Sequence, residues 1–550
     1  MTLNPNICGQ MVENNPKNFI IENGIYKGLV KHNLGNYGSL GELMWTSIRN
    51  NGDKIVYLDA RTEETVTYTE LQNKIVRCAL WLQKQEIKSD DVITICTGNH
   101  LNSIVPCLSA AYVNAIFNPW NENMDSQTTL YYLQMTTPKI IFCSEKSVHA
   151  VLSAVKEKNY SCKVVVFGKH VGAISFSDIL KNCNDAEAAN FRYVKLDNIK
   201  QTACILHSSG TTGMPKGIEL SNYAMIALVQ INNMDVTSMP TLWYSTLYWL
   251  TGILMNFCGI IQNFKAIIYP EFDEEMTCRL IEKYKIQDVF LSTSMVNRLL
   301  KSDYLKKYRL PSLKSIKCGG TSVKPKVQED LRRILPHVQI LQCYGMTEAG
   351  DFATKQLPNS KNGSCGVVVK NGQIKIVDPE SGKILDRNQP GEVCIKLPTV
   401  MTGYCKNHEA TRNIMDKEGW LHSGDIGYMD KDGELFIVDR MKELIKYRGY
   451  QVSPGEIENV LLLHPAVLEV AVIGVPHAID DEHPLAFVSK QPDVKVTEQE
   501  LIDFVAKNMM DNYKLRAGVI FLDRFPYTGS GKIARKDLKI MAKKLLKYDD

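Results

Sequence analysis

Residues 205–217 of this chain read Ile205-Leu206-His207-Ser208-Ser209-Gly210-Thr211-Thr212-Gly213-Met214-Pro215-Lys216-Gly217. Two apolar residues lead into small, hydroxylated and glycine residues, and a lysine stands near the end. Glycine lets the backbone turn sharply and bring its N–H groups close to a polyanion, and hydroxyl groups add donors with little bulk. Lysine supplies a point charge for phosphate oxygens. The stretch therefore predicts a phosphate-holding loop, with a plain Gly/Ser surface loop as the alternative.

This loop differs from the Walker A loop of P-loop nucleotide-binding proteins. The Walker pattern G-x-x-x-x-G-K-[ST] would need glycine at Pro215 and serine or threonine at Gly217. The chain therefore indicates phosphate binding through another motif.

The segment SSGTTGMPKG (208–217) resembles the signature of the adenylate-forming superfamily, which contains acyl-CoA synthetases, coumarate ligases, beetle luciferases and peptide-synthetase adenylation domains. Four more segments follow in the family's order, namely QCYGMTE (342–348), GWLHSGD (419–425), DRMKELIKYRGYQV (439–452) and TGSGKI (528–533). Each is a weak or moderate signal alone, but together they are strong. The resemblance covers essentially the whole chain and points to insect luciferase-like acyl-CoA synthetases and coumarate-CoA ligase-like proteins.

The resemblance implies a site for ATP and AMP built from these segments and one further loop. Its expected residues are Ser208, Ser209, Gly210, Thr211, Thr212, Gly213, Lys216, Gly319, Gly320, Thr321, Gln342, Cys343, Tyr344, Gly345, Met346, Thr347, Asp425, Arg440 and Lys532. Tyr344 would lie against adenine, and Asp425 and Arg440 would contact the ribose. Glu348 and Thr212 would hold Mg²⁺, which prefers oxygen ligands.

The implied reaction has two halves. A carboxylate first attacks the α-phosphorus of ATP, and because both reactants are negative, positive groups must hold them in line. The expected catalytic residues are Lys532, Lys216, Thr347, Glu348 and Lys446. The thiol of CoA, a co-substrate, then attacks the acyl-adenylate, with Lys446, Arg448 and Gly449 contacting CoA. The C-terminal domain would rotate between the halves about a hinge at Asp439 and Lys442.

The chain departs from the family pattern in the adenine-side loop, which reads GGTSV (319–323) rather than GGAPL, and in the acid-binding pocket. The expected residues of this pocket are Leu228, Trp249, Thr251, Met255, Gly320, Asp351 and Phe352. Trp249 stands in place of a histidine of coumarate ligases and beetle luciferases, and Leu228 in place of a luciferase arginine. Trp249 would wall the pocket or donate a hydrogen bond through its N–H. The apolar lining favours a fatty or arylalkanoic acid without a second charge, while Asp351 would read a hydroxyl or amine, or cap a helix.

Composition limits the partners of the chain. At 550 residues it suits two or more domains. Its formal net charge of +4, from 64 basic and 60 acidic residues, gives no electrostatic support for a nucleic-acid partner. The 15 cysteines are scattered, without a C-x-x-C pair or a Cys/His cluster of zinc spacing, which indicates reduced thiols. We therefore expect small-molecule partners only, and a monomer.

The ends of the chain bear on its location. The first residues lack the basic and apolar regions of a signal peptide, and the apolar stretch from Ile104 to Phe117 is too short to span a bilayer. The last residues differ from a Ser-Lys-Leu type peroxisomal signal. We expect an intracellular protein without a transmembrane segment, cytoplasmic in the first place, with a peroxisomal location still open.

Strand-like and helical patterns alternate through the first part of the chain. Short apolar runs at Asp91–Cys96, Lys139–Cys143 and Lys163–Phe167 are typical of buried strands, and the spacing of apolar residues predicts helices at Tyr68–Gln83 and Val148–Lys158. Such alternation predicts an α/β fold with parallel-type sheets covered by helices.

From about Gly366 the pattern changes to short strands separated by turns, which predicts a small antiparallel β subdomain. We predict an N-terminal AMP/ATP-binding domain over 1–440, with this subdomain at about 366–440, and a mobile α+β C-terminal domain over 441–550. The C-terminal domain would contain helices at Pro454–Leu463 and Glu498–Asn508. A last helix within 532–546 would bury one face made of Leu538, Met541, Ala542 and Leu545.

The motifs leave other functions open. A luciferase-type monooxygenase, which oxidises a luciferyl adenylate with O₂, shares the first half-reaction. A non-catalytic acyl- or nucleotide-binding relative is a second alternative, which the presence of Lys216, Glu348, Asp425, Arg440 and Lys532 disfavours. An adenylation module that feeds a carrier protein is a third, disfavoured because no carrier domain is found here.

Overall fold

A computed structural model of the protein describes residues 19–30, 36–208, 214–232, 239–492, 494–527 and 532–546. Up to residue 232, the described strands are β1 (Phe19–Glu22), β2 (Ile25–Gly28), β3 (Ile55–Asp59), β4 (Thr65–Thr67), β5 (Val92–Cys96), β6 (Ile116–Trp120), β7 (Ile140–Ser144), β8 (Lys163–Phe167), β9 (Ile174–Ser175), β10 (Thr202–His207) and β11 (Gly217–Ser221). The helices of this part are α1 (Leu40–Arg49), α2 (Tyr68–Lys84), α3 (Val105–Tyr112), α4 (Ser126–Thr136), α5 (Val148–Glu157), α6 (Phe176–Lys181), α7 (Asp185–Asn190) and α8 (Asn222–Ile231).

Between residues 239 and 440, the strands are β12 (Pro240–Trp243), β13 (Lys265–Ile268), β14 (Asp288–Ser292), β15 (Ser315–Gly319), β16 (Gln339–Met346), β17 (Asp351–Lys355), β18 (Val367–Val368), β19 (Gln373–Val377), β20 (Gly391–Lys396), β21 (Gly403–Tyr404), β22 (Leu421–Met429) and β23 (Leu435–Arg440). The helices are α9 (Leu250–Ile261), α10 (Glu274–Tyr284), α11 (Thr293–Lys301), α12 (Tyr304–Lys307), α13 (Pro325–Ile334) and α14 (His408–Ile414).

After residue 440, the strands are β24 (Ile445–Tyr447), β25 (Tyr450–Val452), β26 (Val467–His477), β27 (Asp481–Lys490) and β28 (Val519–Phe521). The helices are α15 (Pro454–Leu461), α16 (Glu498–Asn508) and α17 (Arg535–Leu546). Short 3₁₀ turns lie at Thr347–Ala349, Met441–Glu443 and Asp511–Tyr513.

Two large, mostly parallel sheets confirm the predicted α/β class. Within the described residues, one sheet has eight strands in the order β21-β11-β10-β6-β5-β7-β8-β9, and the other has nine in the order β18-β17-β16-β15-β14-β12-β13-β3-β4. The three predicted strands are β5, β7 and β8, which pair in parallel. Every residue of β5 is buried, as expected for a strand covered on both faces. The two predicted helices are α2 and α5.

A third, antiparallel sheet follows the change of pattern near Gly366. Its order is β1-β2-β19-β20-β22-β23. The β1–β2 hairpin joins β19 through the pairs Gln373↔Lys27 and Ile374↔Tyr26, so an N-terminal segment completes this sheet. The sequence patterns did not predict this hairpin, because the pairing joins segments far apart in the chain.

The last sheet contains β24 to β28, with β26 and β27 forming a long antiparallel hairpin. Helix α16 has the predicted bounds, and α15 ends two residues before the predicted end at Leu463. The prediction for the last helix was wrong in one respect. Leu538 and Ala542 are fully buried, but the Leu545 side chain is 58% exposed, because it lies near the end of α17 beyond the core.

Several loops of the predicted site lie at the carboxyl ends of parallel strands. The loops that follow β10, β15 and β16 leave the carboxyl ends of parallel strands. In α/β proteins this is the edge where ligands bind. None of the helices in the described ranges is both long and apolar enough to span a bilayer.

Candidate active site

The predicted phosphate loop is closed at its base by two hydrogen bonds. Strands β10 and β11 pair as an antiparallel hairpin that ends at His207↔Gly217. The Ser208 amide donates to the Lys216 carbonyl at 3.0 Å, and the Lys216 amide donates to Ser208 Oγ at 3.3 Å. The predicted residues Ser209, Gly210, Thr211, Thr212 and Gly213 lie outside the described residues. The two residues that flank residues 209–213 are therefore held together at the end of a pair of strands.

Lys216 is linked to Glu348 through an aromatic side chain. Lys216 Nζ lies 4.7 Å from the centroid of the Tyr404 ring, and the Tyr404 hydroxyl donates to Glu348 Oε1 at 2.9 Å. Strand β21 carries Tyr404 to this position by pairing with β11. The structure therefore brings the lysine of the first motif next to the carboxylate of the second, with Thr347 beside it in the same 3₁₀ turn.

A second group joins the second, third and fourth motifs around one carboxylate. Asp425 Oδ2 accepts the Tyr344 hydroxyl at 2.7 Å, and Asp425 Oδ1 lies 3.0 Å from Arg440 Nε. Strands β22 and β23 place the carboxylate and the guanidinium opposite each other through the pair Asp425↔Arg440. Asp425 is 4% exposed. Burial raises the pKa of Asp425, and Arg440 and the Tyr344 hydroxyl oppose that rise.

Lys532 of the C-terminal domain is close enough to Asp425 and Arg440 for their charges to act on it. Burial and the charge of Arg440 lower the pKa of Lys532, while Asp425 and Glu443 oppose the shift. The lysine of the fifth motif thus shares one electrostatic environment with the two residues that were predicted to contact the ribose.

Several polar contacts hold the C-terminal domain in this position. Asp439 Oδ2 accepts from Ser453 Oγ at 2.7 Å and from the Gly455 amide at 2.8 Å, which ties the predicted hinge to the first turn of α15. Within the C-terminal domain, Arg535 Nε lies 3.2 Å from Glu443 Oε2, next to the hinge. Lys301 Nζ on α11 donates to the Leu468 carbonyl of β26 at 2.8 Å. The other hinge residue, Lys442, is exposed.

The residues predicted to contact CoA lie in the loop between β24 and β25 and in β24 itself. Lys446, Arg448 and Gly449 are exposed. The Lys446 amide donates to Glu482 Oε2 at 2.8 Å, and Arg448 Nε pairs with Asp480 Oδ1. Both partners belong to the C-terminal domain. None of the three residues contacts Asp425, Tyr344 or Arg440 within the part of the chain that the structure describes.

Some predicted nucleotide residues have structural contacts of their own. Gln342 is buried, and its Oε1 accepts from the Val323 amide at 2.8 Å. Cys343 is buried too, and burial raises the pKa of its thiol to about 11. A Cβ atom on Gly345 would lie 2.5 Å from the Asp351 carbonyl oxygen, so the turn between β16 and β17 requires glycine there. At Gln342, Cys343 and Gly345, a bound nucleotide would therefore contact backbone atoms rather than side chains.

The loop after β15 and the turn after β16 remain accessible. Gly320 and Thr321 are exposed and follow the buried Gly319. Gly320 has a φ of +97°, which L side chains rarely adopt. Met346 and Thr347 are half-buried at the end of β16.

The predicted acid-pocket residues fall into an apolar and a polar group. Leu228, Met255 and Phe352 are buried in one hydrophobic cluster. Trp249 is half-buried beside the Tyr248 ring, at 4.7 Å between ring centroids, and its indole N–H donates to none of the residues described. Thr251 donates to Ser245 Oγ at 2.9 Å.

Asp351 begins strand β17, so the alternative that it caps a helix was wrong. Its Oδ2 accepts from Asn232 Nδ2 at 2.7 Å, and Asn232 Oδ1 accepts from Lys355 Nζ. Burial raises the pKa of Asp351, and Lys355 opposes that rise. The carboxylate is therefore bound to the residue that ends α8, close to the apolar group.

Sequence comparison identifies the family. The model of the AMP-binding enzyme family matches residues 44–405, and the model of the AMP-binding enzyme C-terminal domain matches residues 456–532. The chain is a member of the AMP-binding, adenylate-forming enzyme family. Both matches include residues of the cluster described above, since Tyr344 and Glu348 lie in the first and Lys532 in the second.

Curated relatives of this adenylate-forming enzyme include both ligases and luciferases. It is 32% identical to luciferin 4-monooxygenase of Photinus pyralis over 89% of this chain and 91% of the relative. It is 33% identical to 4-coumarate–CoA ligase 2 of Petroselinum crispum over 90% of this chain and 92% of the relative.

Solved structures confirm the fold of this adenylate-forming enzyme. A luciferase-like enzyme from the nonluminescent Zophobas morio mealworm matches with a TM-score of 0.71 and 30% identity, over 76% of this chain and all of that chain. ATP-bound MatB from Rhodopseudomonas palustris matches with a TM-score of 0.84 and 23% identity, over 92% and 99% of the two chains.

Two groups near the site were missed by the motif search. Tyr404 lies outside the five motifs, and only the pairing of β21 with β11 reveals it. Behind Asp425, Glu392 Oε1 accepts from the Gly424 amide at 3.1 Å and Glu392 Oε2 lies 2.7 Å from His422 Nδ1. His422 belongs to the third motif, but its partner on β20 carries no sequence signal.

Proposed function

We propose that this enzyme activates a carboxylic acid with ATP to an acyl-adenylate and transfers the acyl group to CoA, giving acyl-CoA, AMP and pyrophosphate. The observation that carries the proposal is the cluster of Tyr344, Asp425 and Arg440, which joins three of the motifs within 3.0 Å of one carboxylate. Lys532, from the other part of the chain, is close enough for the charges of Asp425 and Arg440 to act on its pKa. In an acid-thiol ligase, the positive charge of Lys532 is needed at the place where the substrate carboxylate meets the α-phosphate.

The ribose of ATP would bind at Asp425. Its two oxygens are already oriented by the Tyr344 hydroxyl and Arg440 Nε, so the carboxylate offers fixed acceptor directions to vicinal hydroxyls. Tyr344 is half-buried and would present its ring to the adenine. The backbone of residues 319–321 and 342–346 would line the same nucleotide.

The phosphates would bind at the loop that begins at Ser208 and ends at Lys216. Glu348 fits a Mg²⁺ ion, because it is a buried carboxylate whose Oε1 accepts from Tyr404 and which forms no salt bridge with any of the residues described. A hard cation prefers such oxygen ligands, and Thr212 would supply another. When bound, the ion would neutralise phosphate charge. Lys216 would contact the phosphate oxygens directly.

In the first half-reaction, Lys532 would hold the substrate carboxylate against the α-phosphate. One carboxylate oxygen forms a bond to the α-phosphorus, and the bond from that phosphorus to the pyrophosphate oxygen breaks. The lowered pKa of Lys532 reflects its burial beside Arg440, which concentrates positive charge where two anions must meet. Lys216 and Thr347 would orient the phosphates.

In the second half-reaction, the CoA sulfur forms a bond to the acyl carbon, the acyl–adenylate C–O bond breaks, and AMP leaves. We propose that Lys446, Arg448 and Gly449 contact CoA after the C-terminal domain (441–550) rotates relative to the N-terminal domain (1–440). The exposed Lys442 and the tethered Asp439 would form the hinge. A hinge of a few residues suffices for such a change.

The substrate would be a fatty or arylalkanoic acid without a second charge. Leu228, Met255 and Phe352 support this class because they share one buried cluster. Asn232 donates a hydrogen bond to the Asp351 carboxylate. The carboxylate therefore contacts a substrate only if this hydrogen bond breaks or if the substrate binds to it alongside Asn232.

A panel of acids, assayed by pyrophosphate release and acyl-CoA formation with and without CoA, tests this function. We expect acyl-CoA from at least one medium- or long-chain or arylalkanoic acid, and about 10²–10³-fold slower formation by the Lys532→Ala protein. Pyrophosphate release with light from D-luciferin and O₂, but no acyl-CoA, would favour the monooxygenase. No pyrophosphate release with any acid would favour the non-catalytic alternative.

A further inference from the structure

Two histidines and an aspartate converge at the tip of the long hairpin in the C-terminal domain. Strand β26 ends at His477, a three-residue turn contains Asp480, and β27 carries His483. The pairs His477↔Asp481 and Val475↔His483 place both histidines on the same face of the ribbon, since side chains alternate along each strand. The pattern H-x₂-D-x₂-H escapes a search for cysteine pairs, which is why the sequence did not reveal it.

The donor atoms of these three residues have the spacing of a metal site. Asp480 Oδ2 lies 2.8 Å from His483 Nε2 and 3.6 Å from His477 Nδ1, and the three ligand atoms lie within 4.8 Å of one another. The imidazole rings stack with centroids 3.8 Å apart and 19° between their planes, and His477 Nδ1 accepts from the Ile479 and Asp480 amides at 3.4 and 3.3 Å. The His477 ring would therefore turn away from these amides when both histidines bind one ion. Tetrahedral zinc with bonds of about 2.0–2.1 Å separates its ligand atoms by about 3.3 Å, which lies between the two measured distances.

We propose that His477, Asp480 and His483 form a binding site for a divalent transition-metal ion of the zinc type. Two imidazole nitrogens and one carboxylate oxygen suit zinc, cobalt and nickel, whereas magnesium and calcium prefer oxygen ligands alone. The His477 side chain is 39% exposed, so the ion can enter from solvent and keep a water molecule as its fourth ligand. This proposal does not depend on the proposed ligase function.

The surroundings of Asp480 favour a cation over an anion. A phosphate at this position would meet the Asp480 carboxylate, and Arg448, the nearest guanidinium, is already paired with it. Asp480 Oδ1 faces Arg448 Nε while Oδ2 faces the histidines. A metal ion on Oδ2 leaves the arginine bond in place, and such outer hydrogen bonds orient ligating carboxylates in metal sites. The site would therefore fix the hairpin to the loop that carries Arg448.

Zinc titration of the full-length, tag-free protein by calorimetry tests the site. We expect one ion per chain, and a loss of affinity of at least about 100-fold in the His477→Ala/His483→Ala double variant. His477→Ala alone changes an exposed residue and keeps the test valid if the double variant fails to fold. His408→Ala removes an exposed imidazole elsewhere and should bind zinc as the parent does.

Cobalt spectroscopy separates this site from a second possible donor group among the described residues, formed by Glu392, Cys394 and His422. Cobalt bound by His477, Asp480 and His483 should give d–d bands without a thiolate charge-transfer band. Such a thiolate band, loss of binding in His422→Gln, or unchanged zinc affinity in the double variant would overturn the proposal. A rise in thermal midpoint with zinc in the parent, absent in His477→Ala, would support it.

Discussion

The C-terminal domain presents two lysines in opposite circumstances. The charges of Asp425 and Arg440 act on Lys532, whereas Lys446 is exposed and its amide donates to Glu482 of the same domain. Under the proposed function, each lysine serves one half-reaction. This arrangement of the domains would then suit acyl-adenylate formation, and CoA transfer would require the face that carries Lys446 to approach the same site.

The largest expected effect separates the two half-reactions at Lys532. Lys532→Ala should slow acyl-adenylate formation by about 10²–10³-fold, because a charge aimed at the reacting anions is removed. Thioester formation from supplied acyl-adenylate should stay within a few-fold of the parent rate. The two rates are measured separately by pyrophosphate release and by acyl-CoA appearance. Equal loss in both would mean that Lys532 does not distinguish the halves.

Glu348→Gln should come next, with a loss of roughly tenfold to a hundredfold in MgATP-dependent pyrophosphate release. The amide keeps the shape of the side chain but removes the charge that a hard cation needs. The matched control is Tyr404→Phe, which removes only the hydrogen bond to Glu348 Oε1. We expect a changed Mg²⁺ dependence in the first variant and little change in the second. Identical Mg²⁺ dependence of Glu348→Gln and the parent would refute the metal role.

A proline at Lys442 tests the rotation itself. Proline fixes φ near −65° and removes an N–H, so Lys442→Pro should hold the hinge in one arrangement. We expect it to release pyrophosphate once and then to make acyl-CoA at least about tenfold more slowly than the parent. Lys442→Ala controls for the lost charge and should be close to the parent. Parent-rate acyl-CoA production by the proline variant would show that no rotation through Lys442 is needed.

Two arginines near the Tyr447 ring sharpen the assignment of the exposed face. Arg448 lies 5.4 Å and Arg516 4.3 Å from the ring centroid. Only Arg448 belongs to the loop proposed for CoA. Arg448→Ala should raise the KM for CoA several-fold and leave acyl-adenylate formation unchanged, whereas Arg516→Ala should alter neither. A similar rise in both variants would indicate a structural effect through Tyr447.

The sequence predicted the regions whose information is local. Short apolar runs predicted β5, β7 and β8, and helical spacing predicted α2. In the structure, Thr67 and Glu70 form a capping box at the start of α2, which the sequence analysis did not use. The sequence did not predict contacts between segments that are distant in the chain. The pairing of β2 with β19, the bond from Tyr404 to Glu348 and the cluster at Asp480 all depend on how remote strands are aligned.

The motifs also predicted which residues share a site but not the contacts of their side chains. They placed Asp425 and Arg440 in one nucleotide site, and the structure puts their side chains 3.0 Å apart. They could not show that the Tyr344 hydroxyl is bonded to Asp425, or that Gln342 and Cys343 point into the core. Residue type and spacing identify a motif, but the direction of each side chain depends on strand pairing and packing.

The smallest expected effect concerns the region around Asp425. Behind Asp425, Glu392 contacts both His422 and the Gly424 amide. Contacts with the Cys394 thiol and the Glu392 carboxylate raise the pKa of His422 to about 10. A histidine with a raised pKa stabilises the fold fully below its unfolded value of about 6.5, and this stability is lost as pH rises through about 10. Because the His422 side chain is 34% exposed, solvent screening reduces the effect to about 1 kcal/mol.

Urea unfolding of the parent and of His422→Gln at pH 6, 8 and 10 measures this contribution. The parent should be more stable at pH 6, and the difference between the two proteins should shrink steadily towards pH 10. His408→Ala, which changes an exposed imidazole, should give a difference that does not vary in this way. If the His422 pair also orients Gly424 and Asp425, His422→Gln should raise the KM for ATP more than it lowers kcat. A constant stability difference across the pH range would mean that the charged imidazole does not support the ribose side of the site.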